Sequence, residues 1–83
     1  MMKQLGKPGN RKMYNTETAE AVAYRYGGSG EKRYHEVLYK TKREDYFIHG
    51  KGGTLTKWNG AENLCEISGD ALRYWKEQSR GSK

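Results

Sequence analysis

Few residues in this chain carry side chains that could do chemistry. His35, His49 and the single cysteine, Cys65, are the soft metal ligands. A closed zinc site takes four ligands, usually in close pairs, and these three are not paired at such spacing. A Cys65–His nucleophile pair would need an acid and an oxyanion loop, and neither can be assigned. Cys65 is expected as a small buried hydrophobe. The run HGKGGT, His49 to Thr54, invites a phosphate-loop reading, because glycines let backbone amides approach an anion. Its spacing is wrong. A phosphate loop needs Gly, four residues, then Gly-Lys-Ser/Thr leading into a helix, whereas Lys51 is followed by Gly52 and then by TLTKW. The glycines are expected to form a turn or bulge that ends a strand. No catalytic residue, metal or cofactor is expected, and the chain is read as a non-enzyme.

The remaining chemistry is aromatic and cationic. Tyr14, Tyr24, Tyr26, Tyr34, Tyr39, Tyr46 and Trp58 interleave with Lys12, Arg25, Arg33, Lys40 and Lys57. Such rings on a sheet can stack bases while the cations hold phosphates. They serve equally as half-buried sheet residues or as hot spots for a protein partner. The net charge of +6 is concentrated at the ends. Lys3, Lys7, Arg11 and Lys12 stand without an acid, and Arg73, Lys76, Arg80 and Lys83 face only Glu77. A nucleic-acid reading therefore rests on Lys3, Lys7, Arg11, Lys12, Lys76 and Arg80, whose attraction to phosphate is independent of base sequence.

Eighty-three residues make one domain with a small core. The core candidates are Val22, Val37, Leu38, Tyr39, Phe47, Ile48, Leu55, Leu64, Ile67, Leu72 and Trp75. One cysteine excludes an intramolecular disulfide. The opening MMKQLGKPGNRK has no apolar run, so no signal peptide is expected, and no segment approaches a membrane span. A cytoplasmic location in a host bacterial cell is the expectation.

The elements that must position these residues follow from patterning. Residues 1–11 read as a flexible basic tail, 12–79 as a single α+β domain and 80–83 as a basic C-terminal tail. A short strand is expected over Lys12–Asn15, a helical turn over Thr16–Glu20 and a strand over Ala21–Tyr26. A single helix from Thr16 to Tyr26 is the alternative, since Ala19, Val22, Ala23 and Tyr26 also keep helical spacing. After Gly27-Gly28-Ser29-Gly30, a central β-hairpin over about 34–49 carries two aromatic and branched runs joined by Lys42-Arg43-Glu44-Asp45. A two- or four-residue loop centred on Arg43-Glu44 sets Tyr39 opposite Ile48, Thr41 opposite Tyr46 and Val37 opposite Gly50. One face then carries Val37, Tyr39, Tyr46 and Ile48 as the core face, with His35 among them. The other carries Glu36, Leu38, Lys40, Phe47 and His49.

TLTKW, Thr54 to Trp58, reads as a short strand, Asn59-Gly60 as a tight turn and LCEI, Leu64 to Ile67, as a last strand. Ser68 is a suitable N-cap for a C-terminal helix over about 69–79, whose Leu72 and Trp75 would cover the hairpin. The expected architecture is an antiparallel sheet of three to five strands with this helix on one face.

Tyr14–Ala19 (YNTETA), Leu38–Lys42 (LYKTK), Tyr46–Gly53 (YFIHGKGG) and Ala71–Trp75 (ALRYW) together resemble a family of short proteins encoded by phages and mobile elements of bacteria. The likeness spans about residues 12–77. This sequence departs from the family pattern at the hairpin tip, where Arg43-Glu44-Asp45 replaces the usual Gly, and at His49 and Lys51, where an acid is common. Small proteins of such elements are often host-takeover factors, anti-CRISPR proteins among them, which act mostly by binding. The resemblance implies a module that docks onto a host protein or nucleoprotein such as a CRISPR effector, as a monomer or a homodimer. The surface expected to make that contact is Lys40, Arg43, Phe47, His49, Lys51 and Trp58.

Overall fold

The computed structural model describes residues 1–6, 9 and 12–79. It is an α+β fold of three layers. Strands β3 (Glu20–Gly27), β4 (Tyr34–Lys40), β5 (Tyr46–Gly52) and β6 (Glu62–Glu66) form one antiparallel sheet in chain order. Helix α1 (Gly69–Gln78) covers one face of it. A two-stranded sheet of β1 (Met2–Leu5) and β2 (Lys12–Asn15) covers part of the other.

The central hairpin forms where its aromatic and branched runs predict, but its register differs by one residue. Leu38 faces Ile48, Tyr39 faces Phe47 and Lys40 faces Tyr46. The loop holds three residues, Lys42, Arg43 and Glu44. The Glu44 amide donates to the Thr41 carbonyl at 2.9 Å and the Thr41 amide to the Asp45 carbonyl at 2.8 Å. This is a turn followed by one left-handed residue, and Glu44 occupies that position with φ 65°. An odd loop moves one strand by a residue against the other, so partners expected on one face part company. Glu36, Leu38, Ile48 and Gly50 share the α1 face, while His35, Val37, Tyr39, Phe47, His49 and Lys51 share the opposite one. His35, expected in the core, is exposed. Glu44 bears a Cβ where glycine is free of strain, so Glu44→Gly should stabilise the fold by about 0.5–1 kcal/mol. Chemical denaturation would read this as a higher midpoint at unchanged slope.

Each face of the sheet has its own apolar cluster. On the helix side Ala23, Leu38, Ile48, Trp58 and Trp75 are buried, with Leu72 and Ile67 packed against them. On the other side Tyr14 from β2 meets Phe47 and Leu64, with Leu5 and Tyr39 at the margin. The Tyr14 and Phe47 rings lie 5.0 Å apart and those of Tyr39 and Phe47 5.2 Å apart. Met2–Leu5, expected within a flexible tail, is therefore a paired strand that brings Leu5 to this cluster. The tail 80–83 lies outside the described residues.

The stretch Thr16–Ala19 is a turn closed by the Thr18 and Ala19 amides on the Asn15 carbonyl, and β3 follows it, so the single-helix alternative for 16–26 does not occur. Thr54–Trp58 is not a strand. The Thr56 and Asn59 amides close successive turns on the Gly53 and Thr56 carbonyls, and Leu55, expected in the core, is 64% exposed. Cys65, expected to be buried, is also exposed: it lies opposite Ile48 on the edge strand β6, of which only Leu64 is buried. Asn59 and Gly60 do turn, with φ 51° and 77°. Ser68 caps α1 by position, without a side-chain hydrogen bond. Among the described residues no helix is long and apolar enough to cross a membrane.

Buried Tyr14 donates its hydroxyl to a Glu66 carboxylate oxygen at 2.7 Å. Burial foremost, then the Glu66 hydrogen bond and charge and the Asp45 charge, pushes the Tyr14 hydroxyl above its ordinary value. The folded state then holds this proton more tightly than the unfolded one. The resulting stability is complete below pH about 10, the ordinary tyrosine value, and declines as pH rises beyond it. Urea titrations across that window should show Tyr14→Phe losing less stability with pH than the parent chain.

Candidate functional site

The glycine cluster at the end of β5 is built around a tryptophan. Glu36 and Gly50 face each other across β4 and β5. The Trp58 indole lies on Gly50, where a Cβ would lie 2.0 Å from the nearest ring carbon. From there Trp58 Nε1 donates to Glu36 Oε2 at 2.8 Å, and Trp75 Nε1 of α1 donates to Glu36 Oε1 at 2.9 Å. Arg25 of β3 brings its Nε to 3.1 Å from Oε1, as an ion pair without hydrogen-bond alignment. Glu36 is 2% exposed, so a carboxylate is tolerated there because two indole donors and the Arg25 cation, from three different elements, converge on it.

The loop that delivers Trp58 is pinned in turn. The Gly53 amide donates to the Arg33 carbonyl at 2.8 Å and the Leu55 amide to the Glu31 carbonyl at 2.9 Å. A Cβ on Gly53 would strike the backbone of Glu31. The glycines of HGKGG thus admit an indole and a neighbouring backbone; Gly50 and Gly52 continue β5 as paired strand residues, where a turn or bulge ending the strand was expected.

The six residues expected to form the contact surface do not gather. Phe47 is fully buried and Trp58 is 8% exposed, so neither can meet a partner. Lys40 lies on the helix side, 3.7 Å from Glu44. Arg43 is exposed at the hairpin tip. His49 and Lys51 share a face with buried Phe47, and His49 Nε2 lies 2.8 Å from Glu62 Oε2. Val37 and Leu64 flank His49 across the sheet.

The cations expected to hold nucleic acid are partly engaged inside the molecule. Lys3 Nζ donates to Asn63 Oδ1 at 2.7 Å, Lys12 Nζ pairs with Asp45 at 3.0 Å and Lys76 Nζ sits 4.7 Å from the Tyr46 ring centre. Lys7, Arg11 and Arg80 lie outside the described residues.

A different surface emerges beside them. The β1–β2 sheet covers only the part of its face over β5 and β6 near Phe47 and Leu64. Among the described residues, the part around Tyr24, Tyr26 and His35 is left exposed. There Tyr24 and Tyr26 are 40% and 55% exposed, with rings 5.9 Å apart and nearly parallel at 11°. Tyr26 faces His35, which faces Lys51. Next to this row two adjoining clefts, of about 640 and 430 Å³, share Arg33, His35 and Lys51 in their walls. The i, i+2 spacing of Tyr24 and Tyr26 on β3 was the available sequence clue. Their pairing with His35 and Lys51 depends on the register and could not be read without it. Among the described residues no three His, Cys, Asp or Glu side chains gather in a metal-binding arrangement.

Compared with protein-family models, curated proteins and solved structures, the chain matches none.

Proposed function

We propose that this chain is a non-enzymatic binding module, an inhibitor of the kind carried by phages and mobile elements, that docks onto a host nucleoprotein such as a CRISPR effector. The observation that carries this reading is the open half of the sheet, where two exposed tyrosines lie beside His35, Lys51 and Arg33. Exposed tyrosine and arginine are the residue types that dominate binding hot spots. The cations suit a partner that presents negative charge. The resemblance of the YNTETA, LYKTK, YFIHGKGG and ALRYW segments to mobile-element proteins supplies the class of partner.

The contact surface in this reading is therefore Tyr24, Tyr26, Arg33, His35 and Lys51, in place of the hairpin-tip set. The test is inhibition of target cleavage by purified effector nucleoproteins. The parent chain should bind one and slow it. A Tyr24→Ala/Tyr26→Ala variant that keeps its circular dichroism should lose about tenfold or more in potency. Failure to bind any effector nucleoprotein, or full potency in the double variant, would overturn the reading.

A further inference from the structure

We infer that the open half-sheet binds single-stranded nucleic acid directly, with bases stacked on Tyr24 and Tyr26 and phosphates held at Arg33 and Lys51. This inference rests on the docking reading above and names the component of the nucleoprotein that is touched. Three observations converge on it. The two tyrosine rings are exposed and near parallel, and they offer flat apolar faces at successive outward positions of an edge strand. Aromatic rings on a sheet recognise unpaired bases in this way, since every base has a π-face, whereas paired bases in a duplex are stacked on one another.

The second observation is the cleft. The larger space is walled by Tyr26, Arg33, His35 and Lys51 together with the Gly27–Gly30 backbone, so it continues from the tyrosines without a break.

The third is charge. Arg33, His35 and Lys51 are all exposed, and Lys32 adjoins them. The nearby acids are Glu62, which faces Lys51 across β5 and β6 and lies 2.8 Å from His49 Nε2, and Glu31 in the 3-10 turn Gly30–Lys32, so the cations Lys32, Arg33 and Lys51 outnumber them. Lys3, Lys12 and Lys76 have partners inside the molecule, whereas Arg33 and Lys51 line this cleft beside Tyr26. A protein partner would use the rings as well, but it would give Arg33 and Lys51 no phosphate and so no counterion release.

Fluorescence anisotropy with labelled oligouridine and oligothymidine of about 12 nucleotides tests this, using the whole chain. Both strands, or one of them, should bind at low salt, and a duplex of equal length should bind more weakly. With two phosphates held, the slope of log affinity against log salt should be roughly −1.4. Tyr24→Ala/Tyr26→Ala should weaken binding about tenfold or more, while Tyr24→Phe/Tyr26→Phe should stay within about twofold. Arg33→Gln/Lys51→Gln should bring the slope close to zero. Preference for oligouridine identifies RNA as the source, and preference for oligothymidine identifies DNA. No binding at the lowest salt, unchanged affinity in the Tyr→Ala variant or tighter duplex binding would each overturn the inference. If effector docking survives nuclease while oligonucleotides fail to bind, the docking reading stands and this inference falls. If oligonucleotides bind and no effector is engaged, the reverse holds.

Discussion

Glu36→Ala should leave this protein largely unfolded at room temperature. Glu36 accepts from both indole N–H groups and pairs with Arg25, at the point where β3, β4, the Trp58 loop and α1 meet. Removing it strands two buried donors and a partly buried guanidinium, at a cost of about 3–5 kcal/mol. A domain of this size holds little more than that. Glu36→Gln keeps the shape but turns an amide N–H₂ toward one of the donors and removes the charge facing Arg25. It should cost about 2 kcal/mol, equivalent to roughly 8–16 °C in Tm. Thermal unfolding of the two variants measures this, and an alanine variant within about 1 kcal/mol of the parent would show that the network contributes little. Arg25→Met in the Glu36→Gln background separates the ion pair from the indole bonds, because the two losses should then fall short of additive.

The position of Glu36 explains which parts of the fold are legible in the sequence. Element identity is legible because it is local. The aromatic runs of Tyr34–Lys40 and Tyr46–Gly52, and the Leu72–Trp75 stripe of α1, carry their own periodicity. Facing is not local. It depends on whether the hairpin loop holds two, three or four residues, and Glu44 in a left-handed conformation gives no glycine to mark the odd loop. One residue of slip then sends Glu36 inward and His35 outward, against the expectation that a carboxylate is solvated. The strand β1 was hidden for a related reason. Met2–Leu5 alternates weakly, and it is held by pairing with β2 and by the contact of Leu5 with a cluster distant in sequence.

The candidate site followed the same division. Aromatic and basic residues were legible as a class, but Phe47 and Trp58 are the two largest rings in the expected surface and both are core. Burial of apolar area outweighs what an exposed ring would gain in a chain with so few aliphatic residues. Trp58 in particular can lie inward only because its Nε1 has an acceptor. An exposed site must therefore be sought among rings whose neighbours cannot cover them. Tyr24 and Tyr26 on the edge strand β3 remain 40% and 55% exposed, and among the described residues the β1–β2 sheet packs instead around Phe47 and Leu64.

Gly50→Ala should be nearly as damaging as loss of Glu36, through a single methyl group. The added Cβ would lie 2.0 Å from the nearest carbon of the Trp58 ring, and both Gly50 and Trp58 are constrained. Gly50 is held between two strands by its pairing with Glu36 and Asn63, so the backbone cannot retreat. The indole must leave instead. Its departure exposes a buried aromatic surface and breaks the 2.8 Å bond to Glu36, leaving one carboxylate oxygen short of a donor. Overpacking and the loss of a buried tryptophan together cost about 3–5 kcal/mol. The sharper test is the cycle with Trp58→Ala. Once the ring is gone the methyl has room, so Gly50→Ala should cost less than about 1 kcal/mol in that background, a coupling of several kcal/mol. A glycine kept free for an anion or a partner would behave in the opposite way. Gly50→Ala would then leave urea stability unchanged and show no coupling to Trp58, while abolishing binding.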